Sequence, residues 1–169
     1  MKKIALGCGG FLILSFSLVA FVFYYLSLPK YRDVSNEEPF SEIVNKTLIT
    51  KKEVLILQHT DVKKDENYLF HLEDGNHYGM DSGLEVIAAL PIGTAVTIDK
   101  VELHTNRVSG TTSAYLFGKA KSHDQKEEYT FQCNWGDHHV LYEDIPYWTF
   151  NTAFWQDKPL TKQYIIKAP

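Results

Sequence analysis

The sequence predicts a mainly β fold, a small antiparallel barrel or sandwich, preceded by an N-terminal transmembrane helix and a short helix. Three observations lead there. No charged residue lies between Lys3 and Lys30. Further along, apolar residues alternate with polar ones in short runs bounded by turn formers, the period-2 pattern of half-buried strands. No long run with helical period interrupts them.

The chain has 169 residues, 44% of them apolar and 14% aromatic. That is enough to pack one core, and it excludes wholesale disorder and a large multidomain enzyme. Residues 4–28 hold nothing more polar than Cys8, Ser15, Ser17, Ser27, Tyr24 and Tyr25. As a helix these 25 residues would extend about 37 Å, enough to cross a bilayer with some tilt. The run is too long for a secretory signal and lacks an Ala-x-Ala site near its end, so it is expected to stay attached as an anchor in the lipid bilayer. Ala5-Leu6-Gly7-Cys8 resembles a lipobox, but it precedes the apolar run that it should follow. Lys2 and Lys3 assign residues 1–3 to a cytoplasmic tip, and the C-terminal part is expected to be periplasmic or extracellular. The Met-Lys-Lys start is similar to that of bacterial exported proteins.

Residues 29–39 are polar, without a hydrophobic period, and are expected to be a tether. Residues 40–169 are expected to form the exported, mainly β domain. Ser35 and Glu38 have the spacing of a capping box, and Phe40, Ile43 and Val44 give one apolar face to a short helix over 40–46. Strands are expected at Val54–Leu57, Tyr68–Leu72 and Leu84–Leu90, with turns at Asp74-Gly75-Asn76, Asp81-Ser82-Gly83 and Pro91-Ile92-Gly93. Between Ala95 and His104 the alternation Val96, Ile98 changes phase to Val101, Leu103, which a bulge at Asp99-Lys100 would explain. Tyr129, Phe131, Cys133 and Trp135 alternate strictly with Thr130, Gln132 and Asn134, so one face of that strand should be buried.

From about residue 84 to 136 this layout resembles a Src-homology-type small barrel of bacterial exported proteins. The features that carry the likeness are Leu90-Pro91-Ile92-Gly93-Thr94 before a long bent strand, the loop Asn106–Gly110, and Tyr115–Gly118 facing Tyr129–Trp135. The likeness is architectural and implies a small antiparallel barrel.

Chemistry is sparse. Cys133 points into the expected core, where a thiol is a small hydrophobe with a raised pKa. His138 and His139 are the candidate metal ligands, but neighbours on a strand face opposite ways and make a poor chelate. There is no His-Glu-x-x-His, Gly-x-Ser-x-Gly or Ser-x-x-Lys pattern. Adjacent acids such as Glu73-Asp74, Glu127-Glu128 and Glu143-Asp144 form a solvated surface rather than a converging pair. No cofactor is expected.

The unusual stretch is aromatic. Tyr142, Tyr147, Trp148, Phe150, Phe154 and Trp155 crowd into one segment, with a spacing neither alternating nor helical. The segment either wraps the sheet as a lid or exposes a binding groove with acidic flanks. From Val34 to Pro169 there are 13 Lys and Arg against 20 Asp and Glu, a net charge of −7. Such a surface repels phosphate backbones, which excludes nucleic acid, and it suits a basic protein partner.

The expected function is therefore that of a single-pass membrane protein whose exported domain binds protein, as an accessory or scaffold subunit of an envelope assembly. One alternative is an immunity-type inhibitor of a toxin on the exported side. The other is an envelope enzyme or metal protein using Cys133, His138 and His139.

Overall fold

The computed structural model describes residues 2–28, 30–58, 63–74, 84–122, 126–140 and 143–169, with side chains from Leu14 onward. The turns expected at Gly75-Asn76 and Asp81–Gly83, and the site residue Tyr142, lie outside the described residues.

The fold is mainly β, with one long helix and one mixed sheet. Helix α1 spans Lys2–Ser27. Among the described residues nine strands follow: β1 (Lys30–Asp33), β2 (Thr47–Ile49), β3 (Val54–Gln58), β4 (Phe70–Asp74), β5 (Val86–Leu90), β6 (Ala95–Thr105), β7 (Thr112–Lys121), β8 (Glu128–His139) and β9 (Tyr147–Phe150). They pair in the order β1-β6-β7-β8-β4-β3-β5, with β2 also on β6 and β9 also on β8.

The long strands behave as their alternation requires. In β6 the buried apolar residues are Val96 and Ile98, then Val101 and Leu103, and the pairing with β7 slips between Ile98 and Lys100. The bulge is the physical cause of the phase change: one unpaired residue turns the following side chains over and bends the strand. Gly118 on β7 makes the bend possible, since a Cβ there would overlap the Thr97 carbonyl oxygen and stand 3.0 Å from the Phe131 ring. In β8, Tyr129, Phe131, Cys133 and Trp135 all reach the core.

Three expectations are corrected. The sheet is mixed rather than antiparallel, because β4 runs parallel to β8 through Phe70↔Phe131 and His71↔Gln132. Residues 30–33 of the expected tether form β1, which covers the free edge of β6 beyond its bulge through Lys30↔Thr105 and Asp33↔Glu102. A four-residue edge strand followed by the buried Val34 leaves too short a pattern to be read locally. The expected helix over 40–46 is one 3₁₀ turn, Phe40–Glu42, entered from Pro39 without a side-chain cap. Ser35 makes no capping box; its Oγ accepts the Val101 N–H at 3.0 Å.

The core lies inside the bent sheet and draws on every strand from β3 to β9 together with Val34, Phe40, Phe154 and Ile166. A second, thinner layer covers the outer face. There the 63–69 segment is pinned by Gln132, whose Oε1 accepts the Lys64 N–H at 2.7 Å and whose Nε2 donates to the Tyr68 carbonyl at 2.6 Å. The Tyr68 ring then packs edge-on to Phe117 at 5.1 Å. Gln132 is 1% exposed, so β8 is buried on both faces at this point.

Candidate functional site

The parallel pair β4 and β8 is held by only two residue pairs, after which the strands diverge. The opening between Leu72–Asp74 and Cys133–Trp135 becomes a cleft of about 640 Å³, closed on its third side by Asn151–Trp155. Its floor is core material, Leu116, Cys133 and Phe154, and its rim carries Lys52, His71, Glu73, Asp74 and Asn134. Backbone splay therefore sets the cleft, and the local alternation of β4 sets which polar groups reach its edge.

The rim is partly paired. Lys52 Nζ donates to Asp74 Oδ2 at 2.9 Å, and His71 Nε2 lies 4.0 Å from Glu73 Oε2. Trp155 is half-buried, with its ring centroid 5.3 Å from Trp135 and 4.7 Å from Phe154. Aromatic faces beside carboxylates form a mixed cleft of the kind that takes a cationic side chain, whose charge meets the acid while its stem covers the rings.

Burial pushes the Cys133 thiol up to about 12. It is protonated at any physiological pH and is no nucleophile. The histidine that shares the cleft with it is His71; His138 and His139 stand beside a separate, 120 Å³ hollow at Gly110 and Thr111. They also face opposite sides of β8. His138 stacks on Trp148 at 4.9 Å, while His139 stacks on Tyr147 at 4.9 Å and bonds to Thr149 Oγ1 at 2.8 Å. Burial, helped by the neighbouring His139, lowers the His138 pKa. Among the described residues no group of three His, Cys, Asp or Glu side chains converges for a metal.

The aromatic segment is mostly a lid. Trp148 is 6% exposed, and its Nε1–H donates to the Ile166 carbonyl at 3.0 Å. Phe154 is equally buried and meets Phe131 edge-on. Phe150 packs on Trp135 at 5.0 Å and on Tyr164 at 5.9 Å. An exposed groove over the whole segment thus gives way to a wrapped core, because residues 151–169 fold back over the rings. Among these aromatics, Trp155 is the one that lines the cleft beside the buried Phe154.

A second polar cluster, invisible in the sequence, sits on the outer face. Lys100 Nζ lies 2.7 Å from Asp65 and 2.6 Å from Glu102, and Glu102 meets His104 Nε2 at 2.9 Å. Burial raises the Asp65 pKa, but the Lys100 ammonium and the Asn67 hydrogen bonds outweigh it and hold the carboxyl below its usual 3.8. Burial likewise opposes the charge on Lys100, yet its two carboxylate bonds raise it to about 12. Burial lowers His104 despite the pull of Glu102. Burial and the Asp99 carboxylate push Tyr68 up to about 12. The groups satisfy one another and clamp the 63–69 segment onto the sheet. The signal that exposes this cluster is the even phase of β6, Lys100-Glu102-His104, once the bulge is placed.

No family model matches this chain, and neither a curated protein nor a solved structure shows significant similarity to it.

Proposed function

We propose that the chain is a single-pass membrane-anchored exported β domain that acts by protein binding, as an accessory or scaffold subunit of an envelope assembly. In this reading residues 4–28 span the bilayer, and the sheet, bent at its bulges, curls as a small barrel around the core.

The observation that carries the proposal is the uncovered helix. From Leu14 to Leu26 the apolar side chains of α1 stand open, with Phe16 79% and Phe23 69% exposed. In water each such ring would forgo about 2 kcal/mol of transfer free energy, which a lipid environment supplies. The described side chains cover only the second half of α1, and among the described residues no helix is long and apolar enough to cross a membrane. The full span is therefore inferred from the sequence of residues 4–28.

The cleft gives the binding half of the proposal. Its acidic rim at Glu73 and Asp74, on a segment 34–169 of net charge −7, suits a lysine or arginine of a basic partner lying over Trp155. The same acidity favours the second reading, an immunity-type inhibitor of a basic toxin. The two differ in stoichiometry and partner: an inhibitor should recover a single basic protein, a scaffold several envelope components.

The test is detergent co-purification of the full chain from its own membranes, with Glu73→Lys and Trp155→Ala alongside. The expected result is retention in membranes after alkaline washing and loss of the recovered partner in both variants. Release of the wild-type chain by alkaline washing overturns the anchor. Equal recovery by all three proteins overturns the cleft.

A further inference from the structure

We propose that one end of the β domain docks onto the surface of the bilayer that holds α1, through the tips of the β6–β7 and β8–β9 loops. This inference rests on the anchor reading above and adds where the domain sits.

Strand pairing brings three chain segments to one end of the sheet. Lys30, where β1 begins, pairs with Thr105 at the end of β6. Thr112 at the start of β7 pairs with His138, and His139 pairs with Tyr147 across the next loop. The loop 106–111 and the described residues 140 and 143–146 therefore lie at the same end as the start of β1. Lys30 follows Ser27, the last residue of α1, by three positions. Three residues span at most about 10 Å, so this end cannot leave the headgroup region once α1 is in the membrane.

The side chains there match that position. Val108 at the β6–β7 tip is 97% exposed, and Ile145 in the next loop 78%. Val140 and Tyr31 are exposed beside them at 48% and 62%. Apolar side chains at these tips gain free energy on transfer from water into a membrane interface. Tyr31 has the apolar body and polar tip that headgroups accommodate. The charges nearly cancel: Lys30 and Arg107 stand against Glu143 and Asp144, which fits zwitterionic headgroups better than an anionic or basic protein patch. The opposite end also carries an apolar tip, Ile92 at 69% exposed, beside a cleft lined with Thr47, Lys119, Lys121 and Glu128, but it lies at the far end of β6 from Thr105 and has no short link to α1.

The experiment uses the full chain, with Cys8→Ser to leave one engineered thiol reactive, reconstituted in phosphatidylcholine vesicles. An environment-sensitive fluorophore is placed at Val108→Cys, Ile145→Cys, Ile92→Cys and, within α1, Phe21→Cys, and a nitroxide lipid is added as quencher. Positions 108 and 145 are expected to be quenched at least threefold more than position 92, and a Val108→Asp change should release the label at 145. Quenching at 21 with 108 and 145 no different from 92 overturns docking and leaves the anchor standing. A blue shift at 108 without lipid quenching also overturns it, since a second protein would then cover the tips. No quenching at 21 removes the anchor, and docking with it.

Discussion

Replacing Trp148 by alanine separates the lid from the groove. The indole is 6% exposed, stacks on His138 and donates its Nε1–H to the Ile166 carbonyl. Its loss removes a buried ring, leaves a cavity between β9 and the C-terminal segment, and orphans a buried acceptor. Truncations of this kind cost about 3–5 kcal/mol. For a domain of this size each kcal/mol lowers Tm by about 3–4 °C, so the expected fall is about 10–20 °C. The assay is thermal unfolding of the full chain in detergent, followed by near-UV circular dichroism, with Trp155→Ala measured in parallel. Trp155 is half-buried at the cleft and should cost less than half as much. A Trp148→Ala protein that melts within about 2 °C of wild type, while losing its partner, would refute the reasoning and return this ring to the binding surface.

Gly118→Ala should destabilise by about 3 kcal/mol, because the new methyl meets the backbone oxygen of Thr97 rather than a side chain that can swing away; an unchanged denaturation midpoint would contradict the packing of β6 on β7. With Cys8 replaced by serine, Cys133 should be silent toward a thiol reagent at pH 8 and react fully once denatured, and rapid reaction in the folded state would mean the thiol is neither buried nor raised. Lys100→Met should cost about 1–3 kcal/mol at pH 7 by leaving Asp65 and Glu102 without their shared cation. The sign with pH follows from the shifts. Asp65, held below 3.8, contributes stability that is present above about pH 4 and lost on further acidification, whereas Lys100, raised to about 12, contributes stability that is complete below 10.5 and lost as the pH approaches 12. In Lys100→Met the acid loss contributed by Asp65 should shrink, because burial then opposes its charge without the cation that outweighed it, and the alkaline loss should vanish; equal pH profiles for the two proteins would show that the ion cluster does not clamp the 63–69 segment.

Much of this molecule is written locally. The uncharged run at 4–28, the broken alternation at Asp99-Lys100 and the strict alternation from Tyr129 to Trp135 depend only on which side of a helix or strand meets water, and neighbouring residues carry that information. The burial of Cys133 and the divergence of His138 from His139 follow from the same period of two. What closes over each face does not. Phe70 finds Phe131 across 61 positions, and nothing in either pentapeptide names the other or says that the two strands run parallel. The cleft, with His71 and Glu73 on its rim, exists only because that pairing stops after two residues. Likewise Gln132 reads as a solvent-facing residue until the 63–69 segment arrives to take its hydrogen bonds, and Trp148 reads as a binding ring until the C-terminal segment folds back to cover it. Periodicity decides which face is apolar; the free energy of long-range pairing, summed over the whole sheet, decides what each face meets.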